Sequence, residues 1–334
     1  MYGVAMMTET PVPTPKVSIL IPAFNREQFL AECIQSALDQ TFTDFEIVIS
    51  DNASTDKSWE ICESFAKKDS RIRIFRNETN IGPLMNWLHC VRNARGQYIK
   101  ILFSDDLMFP EFLAHTLPYM DDEEIAFATT AAINGVSPHK GHSVYVPAGN
   151  AVEISTTTYL KRLINDSAPY SPGAGIFRSR DVRKNLLAAI PTKVPRDFFR
   201  NGAGPDVLLY ALTSTAYKSV AMLHCPDVFF RAHPQSITVS DPENDVFSNY
   251  SSVLAWFFRK KAERHFWFRY VSIIWLQQMV RSRQWVPLRR YCINYDGNGS
   301  IADLIGLTWY SFARLFQSLL RRVMRLGKAS NQDF

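Results

Sequence analysis

The 334-residue sequence contains no C-x-x-C pair, and its five cysteines, Cys33, Cys62, Cys90, Cys225 and Cys292, are scattered and odd in number. This excludes a disulfide framework and a zinc knuckle as organising devices, and a reducing cytoplasm fits best. No uninterrupted apolar run reaches the ~18 to 20 residues of a spanning helix. The nearest approach, "YVSIIWLQQMV", is short and sits between Arg269 and Arg281. The start, "MYGVAMMTETPVPTPK", has no basic region followed by an apolar core and does not read as a secretory signal. Its Pro and Thr content is that of a flexible leader over residues 1–15. Internal repeats and low-complexity tracts are also absent.

What remains is ordinary globular composition, 46% hydrophobic and 21% charged. The net charge of +5 hides a division. Residues 259–328 hold fourteen Lys and Arg against three Asp and Glu, so the rest of the chain is net acidic.

From Lys16 the runs "VSILI", "FEIVI", "IRIF" and "YIKILF" alternate with helical patterns. Phe29, Leu30, Cys33, Ile34, Ala37 and Leu38 fall on one helical face. Capping residues precede Trp59, Ile61, Cys62, Phe65 and Ala66, and Pro83 and Gly96 bracket a third helix. Such βα units in series predict an α/β fold with a mostly parallel central sheet. In that architecture ligands bind beyond the carboxyl ends of the strands. The informative segments are therefore Pro22–Asn25, Ser50–Ser54 and Ser104–Asp106, and Asp51, Asp105 and Asp106 are expected on one rim. Further on stand a loop with two histidines (His139 and His142), a glycine turn, "PGAGIF", and an acidic segment, "GPDVLLYAL". From about Val246 the chain reads as helices rich in Trp, Phe and Arg.

Adjacent carboxylates at a strand end make a hard-oxygen site for Mg²⁺ or Mn²⁺, especially where phosphates complete the coordination. Without a cation the two charges repel and their pKa values are pushed apart. A bare "SDD" also suits a turn or a helix cap.

The succession "VSILIPAFNREQFLAECIQSALDQTFTDFEIVISDNASTD", "NETNIGPLMNW" and "RGQYIKILFSDD" resembles the nucleotide-sugar-binding half of the family 2 glycosyltransferases over about Lys16 to Phe112. "PGAGIFRS", "GPDVLLYAL" and "FFRAHPQSITVS" are weaker echoes. The resemblance implies a GT-A, Rossmann-like domain over 16–245, with a nucleotide-binding half (16–112) and an acceptor half (113–245); the basic helical region that follows (246–334) is read from composition alone and matches no part of the family pattern. It implies an inverting, metal-dependent transfer from a nucleoside diphosphate sugar, a UDP-sugar first, to a glycan or lipid-linked acceptor in bacterial polysaccharide synthesis.

Carried over by motif, Pro22, Ala23, Phe24 and Asn25 would line the base pocket, and Asp51 would bond the base or ribose. Asn80 would support the loop beside the nucleotide or serve a core turn, and Ser104 would join the nucleotide-sugar-binding set with Asp105 and Asp106. Asp105 matches the metal-binding Asp, Asp106 would either support the metal, Mn²⁺ or Mg²⁺, or face the sugar, and His233 would lie on the metal or the diphosphate. Asp206 in "PDVLL" is the candidate base, and Gly173, Ala174 and Gly175 would allow close approach of sugar or acceptor. Relatives commonly read Asp-x-Asp-Asp at the strand end, whereas Phe103 stands here in the first position. Structural alternatives are a helix cap for Asp206, a turn for His233 and for the glycines, and solvated loop positions for His139 and His142.

In the tail, "LTWYSFARLFQSLLRRVMRLGK" puts Ser311, Arg314, Ser318, Arg321, Arg322 and Arg325 along one helical face and Trp309, Phe312, Phe316, Leu319, Leu320 and Val323 elsewhere. That pattern, with the basic excess over 259–328, suits peripheral contact with an anionic membrane at its cytoplasmic side. No nucleic-acid recognition motif accompanies it. Two rival functions are a nucleotidyltransferase, for which "IPAFNREQFL" lacks a Gly- and Lys-rich loop, and an inactive nucleotide-binding scaffold.

Overall fold

A computed structural model of the protein describes residues 14–147, 149, 152–198, 202–236, 245–282 and 286–314. Most of the expected leader and the tail from Leu315 onward, including Phe316 to Arg325, lie outside the described residues.

The first half is built as the alternation predicts. Strands β1 (Val17–Ala23), β2 (Phe45–Asp51), β3 (Ile72–Arg76) and β4 (Tyr98–Ile101) are separated by helices α1 (Leu30–Leu38), α2 (Ser58–Ala66) and α3 (Pro83–Asn93). They pair in parallel in the order β3-β2-β1-β4. Every residue of β1 and β2 is buried, because strands covered on both faces need near-continuous apolar runs. At the foot of β4, Gly96 runs so close to β1 that a Cβ there would meet the Ser18 nitrogen at 2.5 Å.

The rest of the sheet mixes directions. It adds β5 (Leu107–Met108), β6 (Ile125–Ser137), β7 (Lys140–Val144), β8 (Glu153–Ser155), β9 (Gly175–Arg178) and β10 (Ser219–Arg231). Between them lie α4 (Phe112–Met120), α5 (Thr156–Ile164), α6 (Ser179–Asn185) and α7 (Pro205–Ser214). The spine reads β3-β2-β1-β4-β9-β6-β10-β5, with β7 on β6 and β8 on β10. Antiparallel β9 separates the β1 to β4 block from the parallel β6–β10 pair, so β1 to β4, β6 and β10 share one direction. The segment around His139 and His142, expected as a loop, is instead a hairpin: His142 lies on β7 opposite Asn134. Gly135 faces Gly141 there, with no room for a Cβ between the strands.

Helices α8 (Asp245–Lys260), α9 (Arg264–Ser282) and α10 (Leu288–Asn294) and a last helical stretch, 301–314, follow. They share a core with the sheet: Leu20, Val48 and Trp87 belong to the same apolar cluster as Trp256, Phe257, Trp267 and Leu307. The boundary expected at residue 246 thus falls inside one packed body.

Candidate active site

In the parallel block, register aligns Ala23 of β1 with Asp51 of β2, and the ladder continues past β4 through the Leu102 N–H to the Leu20 carbonyl at 2.8 Å. The segment Phe103–Asp106 therefore emerges on the same sheet edge as the ends of β1 and β2. A cavity of about 580 Å³ opens there, a volume ordinary for a small-molecule site. On one side it is lined by Pro22, Ala23, Phe24, Asn52, Asn80, Ser104, Asp105 and Asp106. On the other stand Tyr145, Tyr170, Asp206 and Tyr250.

The two strand-end carboxylates have different environments. Asp105 Oδ2 lies 2.9 Å from His233 Nε2 and 3.5 Å from Arg26 Nε. Asp106 Oδ1 accepts the Arg231 backbone N–H at 2.9 Å. Burial, and after it the Asp105 charge, pushes the Asp106 carboxyl well above the usual range. Beneath them Lys100, fully buried, donates to the Gly173 carbonyl and sits 4.4 Å from the Phe112 ring centroid. Burial pulls its pKa down to about 7, with Asp106 opposing. Arg231 spans the same corner: its Nε donates to the Asp105 carbonyl at 2.9 Å and its guanidinium pairs with Glu32 at 2.6 Å.

Across the cavity, Asp206 sits in the first turn of α7, after Gly204 at φ 110°, a backbone setting that only glycine adopts readily. Its Oδ1 accepts N–H bonds from Gly204 (2.7 Å) and Val207 (2.8 Å), and its Oδ2 accepts the Tyr250 hydroxyl at 2.7 Å. One carboxylate oxygen thus serves the helix start while the other faces the tyrosine. Burial raises its pKa to about 6, and the Tyr250 bond is the first of the contacts opposing that rise. Hydrogen bonds to a charged group are worth ~1.5–3 kcal/mol, or one to two pKa units. Tyr250→Phe is accordingly expected to move the Asp206 titration upward by about one pH unit or more, as read by carboxyl ¹³C NMR.

Several sequence-predicted residues take other positions. Asp51 is fully buried and does not line the cavity; its Oδ2 pairs with Arg76 Nε (3.2 Å) and accepts the Ser54 N–H (3.1 Å), while Oδ1 has no hydrogen-bond partner. Asn25, at φ 51°, spends its Oδ1 on the Thr55 N–H at 2.9 Å and joins two rim loops instead of lining the cavity. Asn80 lines it and accepts from Asn52 Nδ2 at 2.8 Å. Gly173, Ala174 and Gly175 are buried and do not line it; the preceding Tyr170 and Ser171 do. The two glycines are small because Phe230 and Tyr210 pack against them. The proposed metal set is split. Asp105 and His233 meet, whereas Asp106 is turned to the Arg231 backbone.

Residues that sequence reasoning missed are Arg26 and Arg231, at the carboxylates, and Trp87, Tyr145, Tyr170 and Tyr250 in the wall. Arg231 directly precedes the segment "AHPQS" that singled out His233. Tyr250 carried no local signal, since it arrives on α8 from beyond the expected domain boundary. Among the described residues, the single His/Cys/carboxylate triple with ligand atoms within 4.8 Å of one another is His115, Cys225 and Asp227, none of which lines the cavity.

Residues 18–187, just over half of the chain, match the profile of Glycosyl transferase family 2. The glycosyltransferase GlyG of Streptococcus pneumoniae is 36% identical over 92 residues, 28% of this chain and 31% of that protein. An uncharacterized glycosyltransferase of Haemophilus influenzae is 31% identical over 144 residues, 43% and 54% of the two chains. The matched stretches span about half of these relatives or less. Among solved structures, S. aureus TarS 1–349 in complex with UDP aligns with TM-score 0.57 at 18% identity, over 80% of this chain and 73% of that one. Its complex with UDP-GlcNAc aligns with TM-score 0.52 at 16% identity, over 90% and 92%. At such identities the likeness is one of fold, and it is the GT-A arrangement that the motifs implied. The parallel β1 to β4 block, the carboxylates beyond β4 and the profile match coincide over the same residues, and the chain belongs to glycosyltransferase family 2.

Proposed function

We propose that the protein transfers a sugar from a nucleoside diphosphate sugar, a UDP-sugar first, to a hydroxyl of a glycan or lipid-linked saccharide, with inversion, in bacterial polysaccharide synthesis at the inner face of the cytoplasmic membrane. The observation that carries this reading is one cavity lined both by the Asp105–Asp106 strand end and by the raised-pKa Asp206. Pro22, Ala23, Phe24 and Asn80 would receive the nucleoside.

The residues fit a divalent cation, Mn²⁺ or Mg²⁺. Ligands at ~2.1 Å in octahedral geometry stand about 3 Å apart, and Asp105 Oδ2 and His233 Nε2 are separated by 2.9 Å. His233 would ligate through Nε2 with its proton on Nδ1, and Asp106 would add charge nearby. The bound cation supplies charge neutralisation to the departing diphosphate. Arg26 and Arg231 supply positive charge to the same corner from the chain itself.

Asp206 acts as the base. As the acceptor oxygen bonds to the anomeric carbon, the carbon–oxygen bond to the diphosphate breaks, and the acceptor proton passes to Asp206. The Tyr250 hydroxyl holds that carboxylate, and the Gly204 and Val207 N–H groups fix its other oxygen. Tyr145 and Tyr170 offer aromatic faces to the incoming saccharide.

Thermal shift with UDP, GDP, CDP and dTDP, each with and without Mn²⁺, tests the donor site. A ligand selective for the native state raises stability by ~2.7 kcal/mol at a hundredfold excess over its Kd. One nucleotide is expected to raise the melting temperature, and more so with Mn²⁺. No shift with any of the four overturns the reading. Binding without turnover in a donor and acceptor screen would favour an inactive scaffold, the reading to which Phe103 in place of a carboxylate lends weight.

A further inference from the structure

In a globular helix the apolar stripe faces the core and the polar face meets solvent. The helical stretch 301–314 is the other way round. Ile301, Ile305, Trp309 and Phe312 are 78%, 65%, 73% and 70% exposed. At 3.6 residues per turn these four positions fall within an arc of roughly 80°. The opposite face, toward α9, carries Asp303, Gly306, Leu307, Tyr310 and Ser311.

Polar chemistry holds this orientation. Asp303 is fully buried and accepts a bidentate pair from Arg259, both contacts at 3.1 Å, and a third from Arg264 at 2.6 Å. Rotating the helix to bury the apolar stripe would strand that carboxylate and the largely buried Arg259 guanidinium, and breaking a buried ion pair is costly. Gly306 closes the contact, since a Cβ there would meet the Phe268 ring at 2.6 Å. The apolar face is therefore presented by the fold rather than left over from poor packing.

We propose that the stripe Ile301, Ile305, Trp309 and Phe312 is a membrane-docking face for an anionic lipid surface. An exposed apolar stripe of this size marks an interaction site. The occupant follows from the charge of this part of the sequence, since residues 259–328 carry fourteen basic against three acidic side chains, a balance that suits an anionic lipid surface better than a second copy of the same basic region. Beyond the described residues the sequence goes on "LFQSLLRRVMRLGK", with three more arginines and a lysine interleaved with apolar residues, composition that suits the same surface. No helix among the described residues is long and apolar enough to cross a membrane. The face lies outside the cavity and does not rest on the donor chemistry.

Vesicle flotation of the full chain tests it, using phosphatidylcholine alone and phosphatidylcholine with phosphatidylglycerol. The parent is expected to float with the anionic vesicles, weakly with the neutral ones, and less at high salt. Trp309→Glu with Phe312→Glu, both at exposed positions, is expected to weaken flotation at least tenfold while leaving the melting temperature and any nucleotide-induced shift unchanged. The proposal is overturned if the parent ignores anionic vesicles or if the double variant floats equally well. It is also overturned if light scattering finds a parent dimer that the variant abolishes, which would make the stripe a contact between copies. Nucleotide binding is read separately, so loss of one property leaves the other standing.

Discussion

Asp206→Asn is expected to abolish turnover, by two to four orders of magnitude in kcat, without lowering the melting temperature at pH 8. The functional half follows from losing the group proposed to take the acceptor proton. The stability half follows from linkage. Asp206 has a folded pKa of about 6 against 3.8 for an ordinary aspartate. Below the unfolded value the group is neutral in both states and contributes nothing. As pH rises through the interval to about 6 the unfolded chain ionises more readily, and the fold loses up to about 3 kcal/mol on this group's account. Asparagine removes that cost. Its carbonyl oxygen can still accept from Gly204 and Val207, and its amide can donate to the Tyr250 hydroxyl. The parent's rate is expected to fall on acidification through about pH 6, where Asp206 gains its proton. A variant that turns over normally, or a rate flat from pH 5 to 8, removes Asp206 from the chemistry; a variant that melts early means that the carboxylate is chiefly structural.

Asp105→Ala is expected to weaken Mn²⁺-dependent nucleotide binding at least a hundredfold, as measured by calorimetry with the diphosphate that the thermal-shift panel selects. Two effects add. The variant loses a carboxylate that would ligate the cation, and a charge clamp on phosphate is worth several kcal/mol. It also leaves His233 and Arg26 facing each other without the anion between them. Asp106 is a poor substitute, since its Oδ1 already holds the Arg231 N–H and burial favours its neutral form. Metal-independent binding of the bare nucleotide should fall much less, because Pro22, Ala23 and Asn80 are untouched. Equal losses with and without Mn²⁺ would instead assign Asp105 to orienting Arg26 and His233.

The two variants probe one cavity whose walls come from distant parts of the chain, and that origin explains how much of it is legible in the sequence. The Asp105–Asp106 wall is local: an apolar strand followed at once by polar residues, with α/β order placing all such strand ends on one edge. That order brings Phe24, Ser104 and Asp105 to the cavity lining, and Asp206, singled out by its motif, lines it as well. The exceptions have particular causes. Asn25 was assigned to the base pocket by its place after β1, but a positive φ turns it toward Thr55. The glycines of "PGAGIF" suit either close approach of a saccharide or a turn in the sequence, and in the structure Phe230 and Tyr210 fill the room a side chain would need.

By itself the sequence determined the βα alternation, the parallel block, the strand-end carboxylates and the basic bias of the C-terminal part. Hydrophobic period, strand-end polarity and charge count are properties of neighbours along the chain. Only the tertiary structure decided that β9 enters the sheet antiparallel, that Tyr250 crosses from α8 to bond Asp206, and that Arg26 and His233 converge on Asp105. It also decided that a buried Asp303 turns an apolar stripe to the outside. These are contacts between residues 39 to 128 positions apart. Their energies depend on burial and mutual orientation, which no local pattern encodes.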